Sequence, residues 1–144
     1  MTFLYYLSHL LYSQNIETTI CDKIYYLNKV LNGVEIFYAI ELPEWFGAEH
    51  PIGSVLGRAQ YGKGFFFYHG CTVGASYDKQ GKPIHPVIGT NVRMFANSSI
   101  LGRCNIGDNV ILSAGTTIIN QDVPSNVIVY GRSPDLIFKE RISK

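Results

Sequence analysis

The stretch that decides the fold runs from Ile88 to Val123 and reads IGTNVRMFANSSILGRCNIGDNVILSAGTTIINQDV. Apolar residues recur in it at every sixth position, namely Ile88, Met94, Ile100, Ile106, Leu112 and Ile118. Neither a helix nor a single strand produces this period, because side chains repeat about every 3.6 residues in a helix and every 2 in a strand. Short strands stacked in successive coils do produce it. The stretch therefore predicts a parallel β-helix of hexapeptide repeats.

Two further features of the stretch favour stacked coils over a helix. Glycines recur at positions 89, 102, 107 and 115, and each would cost an α-helix roughly 1 kcal/mol relative to alanine. The residues four places after the apolar ones are mostly small or β-branched, as a tight interior corner requires, with Asp122 as the exception. These corner residues are Val92, Ser98, Cys104, Val110 and Thr116.

The repeat also extends backwards and is interrupted once. The apolar positions continue through Val73, Phe67, Tyr61 and Val55, but the spacing from Val73 to Ile88 is fifteen residues, which is not a multiple of six. Residues 75–87 therefore leave the repeat, and their Ser, Asp, Lys, Gly and Pro content predicts an exposed loop. Loops held on a rigid scaffold often carry binding residues.

The remaining segments complete a single domain. Leucine and isoleucine at helical spacing predict helices over residues 3–13 and 16–31, and Asn32-Gly33 is a helix stop that ends an N-terminal helical segment at residue 33. The β-helix is predicted over residues 34–134. Residues 135–144 are predicted to form a C-terminal cap, as a short helix that closes the last coil.

Composition bounds the class of protein. Hydrophobic residues make up 47% of the chain and charged ones 16%, which favours an oligomer. A net charge of +1 without a basic cluster argues against nucleic acid as a partner, and no apolar run reaches the roughly 20 residues of a membrane span. Cys21, Cys71 and Cys104 are odd in number and widely spaced, so neither a disulfide framework nor a metal site is predicted. No basic residue precedes Lys23, which argues against a signal peptide and favours a cytoplasmic location.

Histidine is the residue type best suited to activate a hydroxyl at neutral pH. His9 lies among leucines of the first helix, which indicates a structural role, whereas His50, His69 and His85 flank the interruption of the repeat. Glu35, fifteen residues before His50, is a candidate for the carboxylate that orients a catalytic imidazole. It is equally well explained as a solvated charge at the start of a strand.

Several motifs resemble those of the serine acetyltransferases, a branch of the hexapeptide acyltransferases. Gly33-Val34-Glu35-Ile36 matches the start of that family's Gly-Val-Asp-Ile-His-Pro segment, and the run from Glu49 to Gly57 matches its Asp-His-Ala-Thr-Gly-Ile-Val-Val-Gly. The run from Cys71 to Ala75, the loop and Ile84-His85-Pro86 follow its Val-Thr-Leu-Gly-Gly, loop, Arg-His-Pro order. The motifs over residues 121–124 and 130–134 resemble its final segments.

The resemblance implies a left-handed parallel β-helix that forms a homotrimer, with sites between subunits and acetyl-CoA as co-substrate. His50 would be the general base that deprotonates a small hydroxyl acceptor, and Glu35 would orient it. Acetyl transfer would be direct, so Cys71 is expected to be a packed core thiol. The acceptor would contact Glu49, His69 and His85, and the CoA arm would lie along Gly74, Ala75, Ala96, Ala114 and Arg132.

Departures from the family fall on the acceptor side. Ile84 stands where the family has an arginine suited to a substrate carboxylate, and His69 stands where a neutral residue is expected. The family's long N-terminal helical region is mostly absent from the sequence. These departures favour a sugar or sugar nucleotide of cell-surface polysaccharide synthesis over L-serine. The alternative function is that of a non-catalytic hexapeptide-repeat protein that binds a ligand or assembles with an enzyme.

Overall fold

The computed structural model describes residues 1–141, which form two helices followed by a parallel β-helix. Helix α1 spans Thr2–Ser13 and helix α2 spans Thr18–Asn32, close to the predicted ranges. Gly33 ends α2 in the left-handed conformation, with φ of 60°, as the predicted helix stop requires. Tyr5 anchors α1 to the first coil, because its buried hydroxyl donates to the carbonyl of Ile40 at 2.9 Å and accepts from the amide of Leu42 at 3.0 Å.

The strands are short, mostly two or three residues long, and a turn follows nearly every one. They are β1 (Glu35–Ile36), β2 (Phe46–Ala48), β3 (Val55–Leu56), β4 (Gln60–Tyr61), β5 (Phe65–Phe67), β6 (Thr72–Gly74), β7 (Ser76–Tyr77), β8 (Pro83–Ile84), β9 (Val87–Ile88), β10 (Arg93–Met94), β11 (Ser99–Leu101), β12 (Asn105–Ile106), β13 (Ile111–Leu112), β14 (Thr117–Ile119), β15 (Val127–Tyr130) and β16 (Ile137–Glu140).

Three parallel sheets form the sides of the β-helix. We name them sheet A (β1-β3-β6-β11-β14), sheet B (β2-β5-β10-β13-β15, extended at its edge by β16) and sheet C (β4-β9-β12). In each coil the chain runs from sheet A to sheet C to sheet B and then to sheet A of the next coil. Equivalent residues of successive coils pair in register, so that Val73 lies beside Ile100 and Ile100 beside Ile118. Each side of a coil therefore takes six residues, which explains the period of six in the sequence.

The core consists of the columns that the period predicts. All six apolar residues from Ile88 to Ile118 are buried, as are the five small or β-branched residues predicted for interior corners. Asp122 is exposed, as its exceptional character suggested, and Val123 fills the interior of that coil. Cys71 is fully buried and its Sγ lies 3.3 Å from the carbonyl oxygen of Phe95, so it is the packed thiol that was expected.

The C-terminal cap differs from the prediction. Residues 137–140 form strand β16, which pairs antiparallel with β15, so the predicted helix is wrong for this part of the chain. The physical reason is the edge of sheet B, whose backbone amide and carbonyl groups would otherwise lack partners in the last coil. Residues 142–144, also predicted as helical, lie outside the described residues.

The interruption of the repeat is a hairpin rather than an irregular loop. Strands β7 and β8 pair antiparallel, with Ser76 beside Ile84, and leave the corner where sheet A turns into sheet C. The Asp78 carboxylate accepts from the amides of Gln80 and Lys82 at 2.9 and 2.8 Å, which fixes the tip. Neither α1 nor α2 has the length and apolar character needed to cross a lipid bilayer.

The column of apolar residues in sheet A makes a quantitative prediction. Ile100 is fully buried between Val73 and Ile118, so Ile100→Ala should lower the free energy of unfolding by about 2–5 kcal/mol. Urea unfolding followed by circular dichroism measures this loss. Val30→Ala is the control, because Val30 is 79% exposed on α2 and its truncation should change stability by less than about 0.5 kcal/mol. Equal effects of the two substitutions would contradict the placement of the core.

Candidate active site

One edge of the β-helix, where sheet B turns into sheet A, collects five of the ten predicted site residues. Because Ala48, Phe67, Met94 and Leu112 pair in register, the residues that follow them occupy equivalent places in successive coils. The first such row is Glu49, Tyr68, Phe95 and Ser113, and the second is His50, His69, Ala96 and Ala114. We call these two rows the histidine edge.

His50 is an exposed candidate group on the histidine edge. Its φ of 52° is left-handed, its side chain is 78% exposed, and its Nε2 lies 3.7 Å from Oε1 of Glu49. Tyr68, one coil further along, lies beside the same carboxylate, whose hydrogen bond and charge raise the pKa of the phenol. The Tyr68 ring stacks on Phe95 at 4.9 Å. A carboxylate, an imidazole and an aromatic face therefore meet in solvent at this edge.

Glu35, the predicted partner of His50, makes its strongest contact elsewhere. Its carboxylate accepts a hydrogen bond from the ammonium of Lys29 on α2, and this bond lowers the pKa of Glu35 against the opposing effect of burial. The Tyr25 hydroxyl also faces this carboxylate, and burial together with that contact raises the pKa of Tyr25. Among the described residues, the carboxylate that pairs with His50 is that of Glu49.

A cleft of about 370 Å³ lies between α2, sheet A and the base of the hairpin. We call it the hairpin cleft. Its polar side chains are Tyr25, Glu35, Arg58, Tyr77 and His85, and its remaining lining is Phe37, Leu56, Gly57, Ala75 and Pro83. His85 and Glu35 of one copy therefore line the same cleft.

The predicted cofactor residues divide between the two places. Gly74 ends β6 at the base of the hairpin, and Ala75 lines the hairpin cleft. Ala96 and Ala114 lie on the histidine edge, stacked by the hydrogen bond from the Gly115 amide to the Ala96 carbonyl at 2.9 Å. Arg132 is exposed and its backbone pairs with Thr117. Gly74 and Ala75 lie where the strands of sheet A end and the chain turns towards sheet C. Ala96 and Ala114 lie at the opposite edge of sheet A, where the chain arrives from sheet B.

Tyr25 and Arg58 of the hairpin cleft, and Lys29, which donates to the Glu35 carboxylate, were not singled out from the sequence. Tyr25 and Lys29 belong to a helix whose pattern indicates only an amphipathic segment, so no signal marked them. Arg58 had a signal: it follows Gly57 at the corner from which the hairpin emerges one coil later, so any long side chain at that position must meet the hairpin base. His9 is structural as expected, with Nδ1 2.8 Å from the Tyr38 carbonyl oxygen.

Comparison with known proteins gives consistent results. A serine acetyltransferase of Synechococcus elongatus is 32% identical over 136 residues, which cover 94% of this chain and 54% of that protein. The crystal structure of Neisseria gonorrhoeae serine acetyltransferase has a TM-score of 0.84 and 29% identity, covering 98% of this chain and 54% of that one. Its structure in complex with serine has a TM-score of 0.80 and 30% identity, covering 94% and 54%.

This chain is a serine acetyltransferase-like hexapeptide-repeat protein. The predicted left-handed parallel β-helix is confirmed by this structural similarity and by the parallel sheets. The chain spans about half the length of the relatives it matches. No protein-family model matches it.

The Lys29–Glu35 pair makes a prediction for pH dependence. Lys29→Met removes the hydrogen bond that lowers the pKa of Glu35, so that pKa should rise. A carboxyl group with a lowered pKa in the folded state contributes stability above its unfolded pKa and loses it as the pH falls through the folded value. The mutant should therefore be less stable than the wild type at neutral pH and equally stable in acid.

Carbon-detected NMR of the Glu35 carboxyl and urea unfolding at several pH values measure these effects. Lys79→Met is the matched control, because Lys79 lies at the exposed tip of the hairpin and should leave both quantities unchanged. An unaltered Glu35 titration in Lys29→Met would contradict the pairing.

Proposed function

We propose that the chain is an acetyl-CoA-dependent O-acetyltransferase that acts on L-serine. The observation that carries the proposal is the similarity over nearly the whole chain to a protein whose structure was solved in complex with serine. The comparisons give no support to the sugar acceptor that the departures at positions 69 and 84 favoured. L-serine, the other acceptor weighed from the sequence, is therefore preferred.

The proposed chemistry is direct transfer. His50 accepts the proton of the serine hydroxyl as its oxygen attacks the thioester carbon, and the tetrahedral intermediate collapses with cleavage of the carbon–sulfur bond. The imidazolium then returns the proton to the departing CoA thiolate, so that no covalent acyl-enzyme forms. Glu49 lies close enough to His50 to stabilise the developing imidazolium. The backbone amide of Gly74 or Ala75 is the proposed donor to the oxyanion.

Glu35 is proposed as a positioning residue rather than a group in contact with substrate. Its hydrogen bond from Lys29 lowers its pKa and keeps it ionised at neutral pH, which is the state that stabilises an imidazolium. If Glu35 orients His50, its carboxylate must be shared between Lys29 and the imidazole. Glu35→Gln should therefore reduce turnover less than removal of His50.

The proposed assembly is a homotrimer in which each site is shared by two neighbouring copies. The support for it is the division of the predicted residues between the histidine edge and the hairpin cleft, on opposite edges of sheet A. In a closed ring, the same two edges of neighbouring copies meet at every interface. His85 of one copy would then meet His50 of the next.

The acceptor prediction is tested by the release of CoA thiol. We expect kcat/KM for L-serine to exceed that for every member of a panel of sugars and nucleotide sugars. Turnover of a sugar without turnover of serine would overturn the choice of acceptor. If the protein bound acetyl-CoA but released no thiol with any of the acceptors in the panel, the non-catalytic alternative would be favoured.

The shared site is tested by mixing two inactive variants. His50→Ala should lower kcat by roughly 10²–10⁴ with only a few-fold change in the KM for acetyl-CoA, and His85→Ala should also impair the enzyme. When the two variants are refolded together at equal amounts, random assembly leaves about a quarter of the interfaces with both histidines. Activity should therefore recover to about a quarter of that of the wild type.

Light scattering on the same samples reports the oligomer, which should be a trimer. Two variants of one residue, His50→Ala and His50→Gln, are the matched control mixture and should show no recovery. An active monodisperse monomer would contradict both the assembly and the shared site. Near-normal turnover by His50→Ala would move the base to His85 or His69.

A further inference from the structure

Arg58 is the cation of the hairpin cleft that no pairing in the described residues accounts for. It lies at the corner where sheet A turns into sheet C, immediately after Gly57, whose amide donates to the Val73 carbonyl at 2.8 Å. The hairpin leaves the same corner one coil later. Arg58 and His85 consequently line the hairpin cleft together, and they also line an adjoining cleft that contains Glu41.

The guanidinium group of Arg58 is held by one face only. Its Cζ lies 4.8 Å from the centre of the Phe37 ring, a cation–π contact. Within residues 1–141 no carboxylate lies within ion-pair distance of Arg58. Glu35, the acid that shares the hairpin cleft, is held by Lys29. The N–H edges of Arg58 are therefore available to a ligand.

A planar guanidinium with free edges is the side chain best matched to a carboxylate, because two parallel N–H groups meet two oxygens. Ile84 at the hairpin base offers no such donors. Arg58 lines the cleft that contains His85, at a position twenty-two residues after the last residue of β1 and in a different coil from Ile84. Arg58, at the corner of another coil, thus supplies the cation for a substrate carboxylate that Ile84 cannot provide.

We infer that Arg58 binds the α-carboxylate of the acceptor amino acid and so determines the preference for an amino acid over a neutral hydroxyl compound. This inference rests on the proposed function. His85 lies beside Arg58 in the hairpin cleft, and Glu41 lines the adjoining cleft together with both residues. An ammonium group one carbon from the carboxylate has the acid of Glu41 close by, so the surroundings suit a zwitterion.

The test compares L-serine with L-serinamide, in which a neutral amide replaces the carboxylate. Arg58→Met keeps an apolar stem over Phe37 and removes the charge, so the variant should fold. The KM for L-serine should rise about 10- to 100-fold, the range for a lost hydrogen bond to a charged group, while the constants for serinamide and acetyl-CoA stay within about threefold. Arg58→Lys should retain part of the preference for serine, since it keeps the charge without the fork.

Arg93→Met and Arg103→Met are the matched controls. Arg93 lies on sheet B, and Arg103 lies 3.6 Å from Asp122 at a later coil. Both should keep the wild-type discrimination between serine and serinamide. Loss of that discrimination in either control, or its retention in Arg58→Met, would overturn the inference.

The outcome also separates this inference from the proposed function. Wild-type protein that acetylates serine, together with an Arg58→Met variant of unchanged discrimination, refutes the role of Arg58 alone. Wild-type protein that neither acetylates L-serine nor binds it by calorimetry refutes both. Circular dichroism of each variant confirms that a change in KM is read from folded protein.

Discussion

The parallel register between coils is the constraint on which the rest of the structure depends. Each coil donates backbone amides to the one beside it, as from Thr72 to Ser98 and from Ser99 to Thr116, at 3.0 and 2.8 Å. This spacing leaves no room for a side chain at some corners: a methyl group on Gly62 would overlap the backbone of Gly89. The register therefore fixes which residues face inward and which side chains share an edge, and the candidate site inherits its geometry from it.

The sequence predicts the coils well because the buried positions recur with the same period as the coils and restrict the residue types found there. Ile100 and its equivalents must be apolar to fill the interior, and the corner residue Thr116 must be small, so both requirements leave a pattern that can be read without a structure. The strand at residues 137–140 leaves no such pattern. Its side chains are all exposed, and what stabilises it is pairing with the backbone of β15, a requirement of the assembled sheet that is not encoded in side-chain polarity.

The candidate site was predictable only in part for the same reason. Glu49 and His50 follow one another in a motif, so the resemblance places both. The contact between Lys29 and Glu35 depends on how Gly33 turns the chain from α2 into the first coil, and no local pattern specifies that turn beyond the end of the helix. The position of Arg58 beside His85 depends on the stacking of successive coils as well. The two residues are twenty-seven positions apart, and the hairpin of the next coil brings His85 to the same cleft.

Sheet A separates the two groups of candidate residues and so limits how they can cooperate. Its outward residues include Thr72, Ser99 and Thr117, which are short, and Leu101 and Ile119, which are apolar, so this side presents a low and partly apolar surface. Within one copy the two groups lie at opposite ends of the sheet A strands. A second copy related by a rotation that closes into a ring would bring the histidine edge of one β-helix to the hairpin of the next. In the proposed trimer, shared sites would follow from placing the two groups on opposite edges of one face.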